Sequence, residues 1–363
     1  MDVDVRPCAS ADEVKQAIAP IANYFGRSAP DEELAERLIR VLPAERVYAA
    51  WEGGRTVGGL GAFPFQLTVP GGRVSAAGVT IAGVLPTHRR RGILRAMMRA
   101  QLDAAHARGE PVAYLWATEG TIYGRFGFGL ASFTAEIDLA RDRSAFHMPF
   151  SPFGRVRLVP LSTAEQLLAP IYERAAVETP GMFARSSAWW QARRLVDPQR
   201  LRQSNGDLQC AVLEQEGRPT AYALYRINPA FHRGIQTGSI AAIEVVAASP
   251  EATRGIWRYL LDIDWMARVK ADLLPVDHPL LLLMAEPRSH LGMGSGCAWS
   301  TSRLRWRHDL TSLRAPWSSK SSMNFARGML AAGGLVPRVS SALTTHPACA
   351  AMSAPSARHI WAA

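Results

Sequence analysis

Three arginines in a row stand immediately before a glycine at Arg89-Arg90-Arg91-Gly92, preceded by Leu85-Pro86-Thr87-His88 and followed by Ile93-Leu94. Guanidinium forks suit phosphate oxygens, and a helix N-terminus adds backbone N–H groups and a positive dipole end, so an arginine-rich turn opening a helix is a pyrophosphate site. The flanking pattern supplies that geometry. Residues 79–84 are a short apolar, β-branched run ending at Pro86, which predicts a buried strand entering a tight loop. After the loop, Ile93 and Met97 share one stripe and Leu94, Met98, Leu102 and Ala105 the adjoining one, with Gly109 as the stop, which predicts an amphipathic helix. A second apolar run, residues 111–117, leads into Glu119-Gly120-Thr121-Ile122-Tyr123-Gly124-Arg125-Phe126-Gly127-Phe128-Gly129.

The two halves of this stretch carry a resemblance. Arg89-x-x-Gly92 followed by Ile122-Tyr123-x-x-Phe126-Gly127-Phe128 resembles the GCN5-related N-acetyltransferases (GNAT). The Pro86-Thr87-His88-Arg89-Arg90-Arg91-Gly92 turn and the Ile122-to-Gly127 segment are similar to those of the "enhanced intracellular survival" (Eis-like) acetyltransferases of actinobacteria. The resemblance implies acetyl-CoA as co-substrate. It places Arg89, Arg90 and Arg91 and the N–H groups of Gly92, Ile93 and Leu94 at the pyrophosphate, and the backbone of Ala82, Gly83 and Val84 against the acetyl carbonyl and pantetheine arm. Leu94 departs from the small residue common at the end of that loop. It also puts the Tyr123 hydroxyl at the CoA sulfur as general acid, against the alternative of a core tyrosine packed among Phe126 and Phe128. His88 reads as a shaper of the turn rather than a base. In the survival acetyltransferases a terminal carboxylate on a sterol-carrier-like domain helps take the amine proton. This sequence ends Arg358-His359-Ile360-Trp361-Ala362-Ala363, which does not match, leaving Glu119 as the acidic candidate for the base.

A chain of 363 residues with 48% hydrophobic content fits two or three domains. Asp2, Asp4 and Arg6 stand where a leader's apolar run would be, and residues 280–284 are too short to span a bilayer, so a cytoplasmic protein with no membrane partner is expected. The four cysteines are scattered without a C-x-x-C and the histidines are unpaired, which argues against a disulfide framework or a metal site. Residues 296–363 hold eight Lys or Arg against Asp309 alone, so +7 of the net +10 lies there and the first 295 residues carry +3. A basic tail without a reader motif is poor support for nucleic-acid binding.

The fold read from these signals is α/β (α+β), as tandem GNAT folds. Residues 1–150 form the acetyl-CoA-binding domain: a first strand at 3–7, helices at 11–25 and 31–42, a hairpin across Gly53-Gly54 and a turn at Gly71-Gly72. Residues 130–155 read as a crossover. Residues 156–284 form a second, degenerate domain, in which Ile243 to Pro250, Arg254-Gly255 and a helix over 256–266 echo the strand, proline, glycine, helix order of 79–105. Ala252 stands where Arg89 should be, so the phosphate grip is gone. Arg185-x-x-x-Trp189-Trp190 reads first as an aromatic core at a helix junction and second as a pocket wall. Residues 285–363 read as the remnant of a sterol-carrier-like domain, out of frame from about 295: no acidic residue follows Asp309, and a frame shifted by one nucleotide over 298–326 can encode strand-like patterning with carboxylates.

The function these observations imply is an acetyl-CoA-dependent N-acetyltransferase acting on primary amines, small aminoglycoside-like polyamines or lysine side chains. The alternative is a catalytically silent acetyl-CoA-binding remnant. A DNA-binding protein with a basic tail is a third and weaker reading, and a homo-oligomer is implied by the resemblance alone.

Overall fold

The computed structural model of the chain describes residues 3–27, 31–117, 120–151, 154–202, 205–285 and 297–300. Its first half opens with β1 (Asp4–Pro7), α1 (Ala11–Tyr24) and α2 (Glu32–Ile39). Both helices begin at a side-chain cap: Ser10 accepts from the Glu13 N–H at 3.3 Å and Asp31 from the Leu34 N–H at 3.0 Å. Then come β2 (Val47–Glu52), β3 (Arg55–Val69) and β4 (Gly72–Val84). Gly53 and Gly54, at φ 57° and 77°, make the two-residue turn between β2 and β3 that only left-handed backbone allows. α3 (Ile93–Ala107), β5 (Val112–Trp116), α4 (Gly120–Tyr123) and β6 (Phe128–Leu130) complete this half.

α1 and α2 bury Val14, Ile18, Leu34 and Leu38 against Phe63, Phe65 and Ile81 on one face of the sheet, while α3 buries Ile93, Met97 and Met98 against Leu60, Ala62 and Val79 on the other. α1 lies directly on the strands at two glycines. A Cβ on Gly59 would stand 1.8 Å from the Ala17 carbonyl oxygen, and one on Gly83 2.8 Å from the Ile21 nitrogen.

The second half comprises β7 (Thr134–Ala140), β8 (Arg155–Leu158), α5 (Leu161–Glu178), α6 (Ser187–Trp189), α7 (Gln199–Arg202), β9 (Leu208–Gln215) and β10 (Arg218–Asn228). A small hairpin, β11 (Phe231–His232) with β12 (Ile235–Gln236), precedes β13 (Ser239–Ala247), α8 (Pro250–Asp262), β14 (Arg268–Pro275), α9 (Pro279–Leu283) and β15 (Cys297–Ser300). The two large sheets run β1-β2-β3-β4-β5-β15-β6 and β7-β14-β13-β10-β9-β8.

These orders correct the expected crossover at 130–155. β7, inside the expected 1–150 domain, pairs antiparallel with β14 at the edge of the second sheet, and β15 returns from the far end of the described chain to lie antiparallel between β5 and β6. Sheet membership therefore does not follow a boundary at residue 150, and the first sheet holds a strand from the second half. Residues 297–300, within the stretch read as out of frame, are paired on both sides. Residues 301–363 lie outside the described residues.

The halves are also joined by side chains. Residues 181–184 add to the free edge of β3: the Thr68 and Ala184 N–H groups donate to the Met182 and Gln66 carbonyls at 2.8 and 2.9 Å. Just beyond, Trp189 packs with Phe63, Phe65 and Phe183 in the first core, while Trp190, opening a single π-helical turn (Trp190–Arg194), packs with Leu168, Tyr172 and Tyr222 in the second. Arg185 donates to both Glu244 carboxylate oxygens, at 2.8 and 2.7 Å, and lies 3.7 Å from the Tyr172 ring centroid. The Tyr222 hydroxyl donates to Glu244 at 2.6 Å. Arg185 and the two tryptophans thus belong to the junction of the halves, close to the aromatic-core reading.

Candidate active site

β4 and β5 run parallel and stay in register from Ala76 opposite Val112 to Val79 opposite Leu115, where pairing stops. The cause is written into β4. Its register with β3 shifts between Gly59 opposite Gly83 and Gly61 opposite Thr80, and Ile81 at this bulge takes φ 49°, a conformation a β-branched residue rarely adopts. Beyond the bulge, the edge of Ala82, Gly83 and Val84 that faces β5 has no strand partner among the described residues. Unpaired strand edges are templates for an extended ligand. Gly83 itself is required by its contact with α1.

This open edge leads into the arginine loop. Residues Pro86–His88 form a 3₁₀ turn, Arg90 takes φ 63°, and Gly92 caps α3 at φ 82°. Among the described residues no side chain caps α3, so the first-turn N–H groups beyond Gly92, those of Ile93 and Leu94 among them, meet no side-chain acceptor there. The three arginines are not equivalent. Arg89 lies over the Tyr24 ring at 5.3 Å, and Arg90 is exposed with no hydrogen bond or ion pair among the described residues. Arg91, expected beside them on the phosphate, is turned away: its Nη2 donates to Glu52 Oε1 at 2.5 Å and its Nη1 to Oε2 at 3.4 Å. His88 Nε2 meets the same carboxylate at 2.8 Å, and its Nδ1 meets the Thr87 hydroxyl at 2.7 Å, which agrees with a turn-shaping role. The Arg91 hydrogen bonds, more than the His88 contact, hold the Glu52 carboxyl down at about 2.

Tyr123 ends α4 in the connection between β5 and β6, half-buried, its ring centroid 6.1 Å from that of Phe128 and its body against the α3-side core. Gly127, at φ 89°, turns the chain from this segment into β6. Glu119 lies outside the described residues. Sequence reasoning missed Glu52; its only signal was a lone carboxylate at the end of a strand before Gly53-Gly54.

The echo in the second half has a different structure. Pro250 starts α8 directly after the strand, and the Ser249 hydroxyl caps it by accepting from the Ala252 N–H at 3.1 Å. Gly255 is therefore inside the helix, where a Cβ would press on Leu213 at 2.8 Å, and not in a loop. Arg254 lies over the Phe150 ring at 4.6 Å. An extra helical turn with a filled cap replaces the anion loop. Among the described residues no group of three or more His, Cys, Asp or Glu is placed to hold a metal ion, and no helix is long and apolar enough to cross a membrane.

Comparison with known proteins agrees with the twofold layout. Residues 4–131 and 181–307 each match a family model described as an acetyltransferase (GNAT) domain. An uncharacterized N-acetyltransferase of Streptomyces coelicolor is 40% identical over 268 residues, which are 71% of this chain and 63% of that protein. The N-acetyltransferase Eis of Mycobacterium tuberculosis is 33% identical over 305 residues, 81% of this chain and 68% of that one. The crystal structure of Eis1 from Mycobacterium abscessus superposes with a TM-score of 0.69 at 31% identity, covering 82% of this chain and 73% of that one. The chain spans less than two thirds of the length of the S. coelicolor relative and of one from Streptomyces avermitilis, of which it covers 65%.

Proposed function

Because the chain belongs to the GNAT acetyltransferases and, among them, to the Eis-like N-acetyltransferases, we propose that it transfers an acetyl group to a primary amine. The observation that carries this reading is the continuity, among the described residues, of an unpaired β4 edge with an uncapped helix N-terminus beside two arginines that hold no carboxylate. An extended chain ending in a diphosphate fits that surface. The Ala82 to Val84 backbone would pair with the arm, and Arg89, Arg90 and the Gly92-to-Leu94 N–H groups would hold the diphosphate. When bound, acetyl-CoA supplies an acetyl thioester.

The chain's own residues then have three tasks. The loop fixes the position of the reacting carbonyl, which is worth rate because a placed reactant has little orientational entropy left to lose. Tyr123 gives its hydroxyl proton to the departing sulfur; a positioned acid of this kind is worth ~10²–10⁴ in rate. A carboxylate would take the amine proton, and Glu119 is the candidate we name for it. The second half, with its capped α8, contributes packing and not a second cofactor site.

For substrates we infer polyamines of the aminoglycoside type or lysine side chains. The test is release of free thiol from acetyl-CoA over a panel of such amines. Amine-dependent thiol release supports the enzyme. Binding of acetyl-CoA with no release for any amine supports the silent remnant, and a chain that does not bind acetyl-CoA ends both readings.

A further inference from the structure

We propose that Glu52 is a positioning residue for the diphosphate loop and that Arg91 is its brace, not a phosphate ligand. This rests on the reading of the loop as the acetyl-CoA site. The geometry is specific. One carboxylate, on the last residue of β2, reaches across to His88 at 2.8 Å and to Arg91 at 2.5 Å, the two residues that bracket Arg89 and Arg90 in sequence. Both ends of the bracketed pair are thereby tied to the sheet. The chain between them has to bulge outward, and Arg90 does so in the left-handed region at φ 63°. Strain of this kind persists only where the surroundings enforce it. With the ring neutral, His88 Nε2–H donates to Glu52 and Nδ1 accepts from the Thr87 hydroxyl, so the second nitrogen is fixed as well.

A carboxylate so close to a diphosphate would repel it if its charge were free. Here the charge is engaged by Arg91, and Glu52 and His88 are largely shielded, with side-chain exposures of 15% and 20%. The positive charge left to face the ligand belongs to Arg89 and Arg90. For Arg91 to turn these two nitrogens to phosphate it would have to leave the Glu52 carboxylate to His88 alone, so the two roles compete for the same donors.

The experiment uses the full chain and the variants Glu52→Gln, Arg91→Met, Arg90→Ala and the double variant Glu52→Gln/Arg91→Met. Acetyl-CoA affinity is measured by calorimetry and KM by thiol release, with S-acetylpantetheine, which lacks the diphosphate, as the comparison donor. Glu52→Gln should weaken acetyl-CoA binding about fivefold, the low end of couplings transmitted through a second element. It should leave the KM for S-acetylpantetheine unchanged. Arg91→Met should lose more than Glu52→Gln, because it also frees the Glu52 charge beside the diphosphate, and the double variant should return to the Glu52→Gln level, because the charge is gone and one brace is lost. Three results would overturn the proposal: tighter acetyl-CoA binding by Glu52→Gln, a double variant no better than Arg91→Met, or an equal loss with S-acetylpantetheine. If Glu52→Gln melts early, Arg91→Met still bears on the proposal through its donor dependence: a loss confined to acetyl-CoA supports it, and an equal loss with S-acetylpantetheine overturns it. Failure of the wild-type chain to bind acetyl-CoA would instead refute the reading of the site itself.

Discussion

Arg90 offers the sharpest separation of a binding role from a structural one, because its backbone and its side chain can be changed with opposite expected signs. The residue is exposed, has no partner among the described residues, and sits at φ 63°. A non-glycine residue in that region costs ~1–2 kcal/mol. Arg90→Ala keeps the strain and removes the fork, so folding stability should hold. Binding should fall by the worth of a charge-assisted hydrogen bond, ~1.5–3 kcal/mol, and nearer the lower figure because the site is open to water. That is about tenfold in acetyl-CoA affinity. Arg90→Gly removes the strain as well, so it should melt higher than wild type while binding as weakly as the alanine variant. Arg254→Ala, which strips the arginine before the echo's glycine, should leave acetyl-CoA affinity unchanged, since that side chain rests on Phe150. Calorimetry with acetyl-CoA and thermal melts of the same samples give both readouts. Wild-type affinity in both Arg90 variants, or a larger loss in Arg254→Ala, would refute the choice of this loop.

Tyr123→Phe should lower kcat with acetyl-CoA affinity within a few fold, because the missing hydroxyl acts only as the sulfur departs; equal loss of binding and turnover would mean packing. Burial alone would raise the Glu244 carboxyl, but Arg185, Arg194 and Tyr222 hold it at about 2, so its stabilising contribution is complete above pH 4.5 and lost as pH falls towards 2. Glu244→Gln should cost ~3–5 kcal/mol at pH 7 and flatten the decline between pH 4.5 and 2, and urea melts that fall in parallel for both proteins would contradict this. Ala298→Pro should lower the melting temperature, since Ala298 is paired with both Leu115 and Leu130 and proline cannot donate to a ladder; an unchanged melting temperature would argue against β15.

How much was legible in the sequence depended on how local the causes are. The β2–β3 turn lies in two adjacent glycines, and α3 in a stripe and a stop: Gly109, at φ 73°, ends it as expected. The anion loop was legible because its residues are neighbours in sequence. Glu52 was not, because it lies 39 residues before Arg91 and only the β2–β3–β4 ladder brings them together. The echo misled through its glycine. Strand, proline, glycine and helix recur, but Ser249-Pro250 already spells a cap and first turn, and that local signal determines where α8 begins. Residues 134–140 show strand alternation in their burial, but alternation names no partner, so their place in the other sheet could not be inferred.

The return of β15 makes the active half depend on residues far from it. Tyr123 lies in the connection from β5 to β6, and those two strands do not touch; β15 fills the gap and sets their separation. A strand in that position contributes mainly N–H and C=O groups to the ladders, which any residue but proline can supply. The slot can therefore be filled by Cys297–Ser300 even if the codons are read in a frame other than the one that shaped it, although the family match running on to residue 307 speaks for an unchanged frame up to there. We propose that a frame change at or beyond this strand spares the sheet beside Tyr123 and alters the chain beyond β15. Sequencing the gene across codons 285–300 and restoring the alternative frame tests this. If the proposal holds, amine acetylation should rise while acetyl-CoA affinity stays where it was, because the arginine loop and the β4 edge owe nothing to the tail. A stop codon in the shifted frame within 298–326 would end the idea.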